Sequence, residues 1–246
     1  MQIDYEFIRQ SLPDIARYIP VTLQLVVVSF LISFPIGALF AWINYRKVRI
    51  LSPVIKAYMS LIRGTPVILQ IYVIYNMTPY LLASFFQSIG SSVNVYRMDT
   101  IWYAYIALSL TPTVTIAEAL RSGLETVSKG QYEAGLSVGL SGLQTTWHVV
   151  FPQALSAAMP VMGNAVVELT KATSLAFIMA VTEITGRAKI LGGTVLRYFE
   201  AYICVFLLYI VIIAVMEQLM KMLEKHMSVY RRGRHNHAKA GRTGVS

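Results

Sequence analysis

Several stretches of about 20 residues in this 246-residue chain carry few or no charges. That length of apolar chain can cross a hydrocarbon core about 30 Å thick. Inside lipid every backbone N–H and C=O needs a partner from the chain itself, so such stretches fold as helices. The composition agrees, with 56% hydrophobic residues and only 13% charged, about half the usual charged share. The predicted class is therefore all-α and polytopic in a membrane. The pattern predicts five spans, at about residues 21–43, 54–80, 101–120, 154–181 and 202–223. The second contains a polar break, Arg63-Gly64-Thr65-Pro66. Residues 1–20 read as a short amphipathic segment at the membrane surface. The membrane domain covers 21–225, and 226–246 is a basic tail expected to be disordered.

The net charge of +9 would suit a nucleic-acid partner in a soluble protein. Here the cations gather in loops and in the tail, which suits a membrane protein and no nucleic acid. Arg46, Lys47, Arg49 and Lys56 follow the first span, Arg121 and Lys129 the third, and a cluster from Lys221 to Arg242 the fifth. Only Arg97 lies between the second and third spans, whereas Arg187, Lys189 and Arg197 between the last two run against the trend. The balance predicts an amino terminus outside and a carboxyl terminus inside. Cys204 is the lone cysteine, so neither a disulfide framework nor a metal set is expected. His235 and His237 read as solvated tail residues.

The segment 129–152 is too structured for a plain connection. Helix-forming residues there are punctuated by Gly139, where the chain can turn, and by Pro152, which can start the next helix. A short helix from about Gln131 would put Ala134 and Val138 on one side. An intramembrane pair, Glu168 and Lys171, sits three residues apart on one helix face. Membrane charges of this kind face a bundle interior or a wet cavity. They fit either a polar patch on a translocation path or a structural ion pair. Thr173 and Ser174 can line a pore or bond their own backbone, and Arg63 can meet a substrate or snorkel.

The run Glu133-Ala134-Gly135, Gly139, then Val149-Val150-Phe151-Pro152 resembles the cytoplasmic loop of permease subunits of ATP-binding-cassette importers. Gly135, Val149 and Phe151 depart mildly from that pattern. Three further runs resemble the polar-amino-acid group of these permeases: SLIRGTPVIL from Ser60, IAEALRSGLETVSKGQ from Ile116 and NAVVELTKATSLAFIMAVTE from Asn164. Together they cover most of residues 21–223. Ala172 stands where the group has an acidic residue. Pro112 and Thr113-Val114-Thr115 stand where it often has Asn-x-Ala-Tyr, which leaves the substrate open.

The resemblance implies a type I importer permease fold with a coupling helix that docks on a cytoplasmic ATPase. Glu133, Ala134, Gly135, Gly139 and Pro152 would serve that docking. Arg63, Thr65, Gln70, Asn164, Glu168, Lys171, Thr173 and Ser174 would line the substrate path. It also implies a second permease chain, identical or homologous, an extracytoplasmic solute-binding protein, surrounding lipid and an amino-acid substrate. The chain lacks a phosphate-binding Gly-x(4)-Gly-Lys-[Ser/Thr] sequence, so it is expected to do no covalent chemistry and bind no cofactor or metal, with ATP hydrolysed by the partner. Overall likeness points to cystine or another sulfur-containing amino acid, with basic and other polar amino acids open. The location implied is a bacterial inner membrane. The alternative is an ion-coupled secondary transporter or channel, against which the odd span count and the loop both argue. An intramembrane enzyme would need a Ser-His or paired-Asp set within the spans, and His148 stands alone in the loop.

Overall fold

The computed structural model describes residues 3–227, and the expectations for the tail beyond 227 lie outside them. The described residues fold into helices and turns, with no strand. In order these are α1 (Tyr5–Ala16), α2 (Ile19–Tyr45), α3 (Leu51–Gly64), α4 (Val67–Ser88), α5 (Ile101–Thr126), α6 (Lys129–Ser137), α7 (Gly142–Thr145), α8 (Phe151–Ala172), α9 (Ile184–Val195) and α10 (Tyr198–Met227). A π turn, Thr146–Val150, leads into α8, and a 3₁₀ segment, Thr173–Met179, follows it.

Among the described residues four helical stretches are long and apolar enough to cross a membrane: Ile19–Tyr45, Val67–Ser88, Gly142–Met179 and Tyr198–Met227. α5 has the length, about 39 Å for 26 residues, but Thr111, Pro112, Thr113, Thr115 and Glu118 lower its apolar content. The expected count of five therefore rests on α5. The reason for its composition lies in its position. α5 is the central helix, flanked by α2, α8, α4 and α3, and most of its residues are buried. A helix shielded by protein does not need a lipid-facing surface.

The α2–α5 seam is built from small residues. Ser29, Ser33, Gly37 and Ala41 recur every fourth position of α2 and are buried, the pattern that lets membrane helices approach closely. Ser33 Oγ donates to the Ser109 carbonyl at 2.9 Å. A Cβ on Gly37 would lie 2.8 Å from the Thr113 carbonyl oxygen. At the far end of α5, a Cβ on Gly123 would lie within 2.3 Å of the Ala154 carbonyl oxygen, so α5 and α8 touch backbone to backbone.

The expected second span, 54–80, is corrected to two helices. Pro66 forces Thr65 into an extended conformation, φ −113° and ψ 128°, as proline does to the residue before it. α3, with 14 residues, is about 21 Å long and too short to cross, while α4 meets the length. The break is stapled by Gln70. Its Nε2 donates to the Ile62 carbonyl at 2.9 Å and the Thr65 carbonyl at 2.8 Å, tying the first turn of α4 to the end of α3.

α1 is capped by Asp4, whose carboxylate accepts from Phe7 N at 2.9 Å. It packs on α9 and α10, with Ile15 fully buried against Ile184, Ala188, Ala201 and Cys204. Asp14 accepts from Arg187 Nε at 2.9 Å, and Asp4 and Glu200 both meet Arg197. The segment expected at the membrane surface is thus clasped to the bundle. Lys189 stacks on Phe177 at 4.7 Å. All three cations that run against the charge trend are engaged.

The chain reverses at Ala180, which has left-handed backbone, φ 58°. Glu183 then caps α9 from a fully buried position. It accepts from Thr185 N and Gly186 N at 2.9 Å each and from the Tyr209 hydroxyl at 3.2 Å. Burial pushes its carboxyl above the ordinary value, outweighing these hydrogen bonds.

Candidate functional site

A hollow of about 530 Å³ opens between α4, α5, α8 and the 3₁₀ segment, within the size range of small-molecule sites. α5 contributes Thr111, Pro112 and Thr115. α8 contributes Asn164, Glu168, Lys171 and Ala172, and Ser174 closes one end. The rest of the wall is aliphatic, including Val67, Leu108, Val161 and Leu175. Glu168 and Lys171 pair at 2.7 Å with side chains 70% and 48% exposed. An exposed pair like this stabilises by no more than about 1 kcal/mol, so a ligand bearing both charges can open it at little cost. The wall thus carries one carboxylate, one ammonium, an amide and several hydroxyls, with no net charge.

Of the expected path residues, Asn164, Glu168, Lys171 and Ser174 line this hollow. Thr173 does not. It is fully buried, donates to the Thr170 carbonyl at 2.7 Å and meets the Tyr209 hydroxyl at 3.1 Å. Gln70 is buried as the staple of the α3–α4 break, and its Oε1 accepts from Thr111 at 3.3 Å. It touches the wall through Thr111 and not directly. Thr65 bonds its own helix at the Leu61 carbonyl. Arg63 lies outside the lining and pairs with Glu118 of α5. Glu118 was missed in the sequence. The signal was there, since it falls three residues beyond Thr115 on the same helix face.

The loop between α5 and α8 forms a second site. α6 starts at Lys129, slightly earlier than expected, and ends at Ser137. Gly139 takes φ 87°, the left-handed backbone that its lack of a side chain allows. Ser141 then opens α7 with a capping box. Its hydroxyl accepts from Gln144 N, and Gln144 Oε1 accepts from Ser141 N at 2.8 Å. The Ser-x-x-Gln spacing announces this in the sequence. Pro152 lies in the first turn of α8 as expected. Gly135 is buried against Thr145, while Glu133 and Ala134 lie exposed on α6.

Four apolar side chains on this loop point away from the bundle: Leu136, Val138 (77% exposed), Leu143 (69%) and Trp147. The anchoring Thr145 is fully buried. A second hollow of about 270 Å³ lies beside the loop, lined by Trp42, Arg46, Lys129 and Glu133 among others. His148 is exposed and bonds the Gln144 carbonyl. Among the described residues no group of His, Cys, Asp and Glu side chains is placed to hold a metal ion.

Comparison with known proteins places these features in a family. The model of the binding-protein-dependent transport system inner membrane component matches residues 33–229. The chain is 32% identical over 226 residues to the probable amino-acid permease protein YxeN of Bacillus subtilis, covering 92% of this chain and 96% of the relative. It is 33% identical to the L-cystine transport system permease protein TcyL of the same organism, with 91% of each chain covered. Its fold matches a solved amino acid ABC transporter with a TM-score of 0.74 at 24% identity, covering 92% of this chain and 100% of the other. A chain of the MetNI methionine ABC transporter matches with a TM-score of 0.67 at 17% identity, covering 86% and 95%. These matches, over a helical bundle of membrane-spanning length, show that the chain belongs to the inner membrane component family of binding-protein-dependent transport systems.

Proposed function

We propose that this chain is the membrane permease subunit of an ATP-driven importer of polar amino acids. The observation that carries the reading is the α6–α7 loop, a capped, folded unit that holds apolar side chains outward at the foot of α5 and α8. An unpartnered loop would bury or omit Leu136, Val138, Leu143 and Trp147, whereas a docking loop needs them at its surface. ATP is hydrolysed by a separate cytoplasmic ATPase pair that grips this loop through Glu133 and its neighbours. Two permease chains, identical or homologous, enclose the path, and an extracytoplasmic binding protein delivers the substrate.

With α5 crossing, five spans put the termini on opposite sides. The loop-side ends carry Arg46, Lys47, Arg49, Lys56, Lys129 and Lys221, mostly exposed. On the other side Arg187 and Arg197 are matched by Asp14, Asp4 and Glu200. The excess of positive charge on the loop side supports a cytoplasmic loop and an amino terminus outside.

The α-carboxylate of an amino acid meets Lys171 and its ammonium meets Glu168, with Asn164 and Ser174 beside them. The balanced wall suits a substrate whose side chain is neutral. Cystine heads the candidates, since two similar permeases, TcyL and TcyB, bear its name. Arginine and nopaline permeases are also among the similar proteins, so side-chain charge is the property to measure.

Glu133→Arg tests the coupling. It should lower ATPase co-purification and uptake together while the permease still inserts. Normal ATPase recovery with full uptake would sink the assignment. Uptake that persists without the ATPase and collapses with the ion gradient would instead indicate a secondary transporter.

A further inference from the structure

α5 is buried almost throughout, yet one stripe of it is not. Between residues 111 and 120 only Thr111, Thr115 and Glu118 escape burial. Ser122 and Glu125 continue the same face toward the loop. The spacing of four, three, four and three traces one side of a helix. Every residue on that stripe is polar, which suits a bundle interior or a wet cavity better than hydrocarbon. Its upper members, Thr111 and Thr115, line the large hollow. Glu118 lies one turn further toward the loop, where Arg63 reaches across from the end of α3 to 2.5 Å. Both side chains stay partly open, 57% for Arg63 and 37% for Glu118.

We propose that Arg63 and Glu118 form a second substrate station between the hollow and the loop, recognising the amino acid's carboxylate and ammonium groups. This rests on the amino-acid permease reading above. The guanidinium takes the carboxylate in the fork geometry that suits it, and the Glu118 carboxylate takes the ammonium. Vacant, the two groups satisfy each other. Occupied, that one ion pair is exchanged for a bond from each group to the substrate. An ion pair this exposed is worth little, so the exchange is nearly balanced and the station binds weakly. A pathway needs that property, because a site that binds tightly does not release. Glu168–Lys171 and Arg63–Glu118 repeat one design along one polar track. Neither pair reads the side chain, so the second station acts alike on every amino acid the first one admits.

The test uses the assembled transporter with its ATPase and binding protein in proteoliposomes, with L-cystine and L-arginine as labelled probes. The key variant is the matched neutral pair, Arg63→Gln with Glu118→Gln. It removes both charges and leaves a polar side chain on each of α3 and α5. Uptake should fall about tenfold or more, by the same factor for each probe that is carried. ATPase stimulation by the loaded binding protein and recovery of both permease copies should stay at the unmutated level. Uptake equal to the unmutated protein would overturn the proposal and leave Arg63–Glu118 a structural tie. Loss of ATPase stimulation, or dissociation of the permease pair, would overturn it too, since the station serves the passenger and not the motor or the interface. If the unmutated transporter carries no amino acid at all, the underlying permease reading fails instead.

Discussion

Glu183→Ala probes the buried knot that joins α9 to α10 and the 3₁₀ segment. The carboxylate caps two backbone amides, those of Thr185 and Gly186, and accepts from Tyr209. Alanine leaves both amides without an acceptor in a site closed to water. Each buried donor stranded in this way costs about 1–3 kcal/mol. Tyr209 keeps Thr173 as a partner at 3.1 Å and adds little. The expected loss is about 2–6 kcal/mol. Glu183→Gln keeps one carbonyl oxygen and should lose about half as much. The assay is thermal unfolding of the purified complex, paired with hydrogen exchange at the Thr185 and Gly186 amides. An alanine variant that melts with the unmutated protein, both amides still protected, would refute the reasoning. The pH dependence has a definite sign. Burial raises the Glu183 carboxyl above its ordinary value of 4.5, so the folded state holds the proton more tightly than the unfolded one. The stability this gives is complete below 4.5 and is lost as pH rises through the folded value. The lead of the unmutated protein over Glu183→Gln should therefore be widest in acid and narrow toward neutrality.

Gly123→Val would drive a side chain into the Ala154 carbonyl, where even a Cβ reaches 2.3 Å. It should cost about 1–3 kcal/mol by overpacking, read as a lower melting temperature with reduced uptake. Gly139→Val places a β-branched residue at φ 87°, strained by about 1 kcal/mol or more. It should loosen the loop and lower uptake per ATP hydrolysed, and an unchanged ratio would count against a rigid loop. Ala172→Asp adds a negative charge to a wall that is balanced. Competition by L-arginine should strengthen relative to neutral amino acids, and an unaltered competition profile would remove residue 172 from selectivity.

Much of the bundle could be read directly. α2, α4, α8 and α10 announce themselves through apolar length, and the loop through Gly139, Pro152 and the run at Glu133. What escaped has common physical causes. The break at Pro66 was visible as residues, but whether it bends one span or separates two helices depends on what ties the two sides together. Gln70 does so from eight residues beyond Ile62. In the sequence Thr173 and Ser174 fit either a pore wall or a bond to their own backbone. On the 3₁₀ segment adjacent residues diverge, so one faces the hollow and the other faces Tyr209. The charges of α1 looked like those of a free surface helix, since their partners Arg187, Arg197 and Glu200 lie more than 170 residues away. Side-chain identity marks what can pair, and only the packing decides with what.

The composition of α5 has a consequence for how the chain is made. Among the described residues four stretches are long and apolar enough to cross a bilayer, and four is an even number. Those four alone would leave both ends of the chain on one side. The topology of the whole chain, including which side the Glu133 loop faces, therefore hangs on whether α5 crosses. In the folded bundle α2 on one flank and α8 on the other cover it. Substitutions along the Ser29–Ser33–Gly37 seam would register first as misoriented protein, before any defect in transport could be measured.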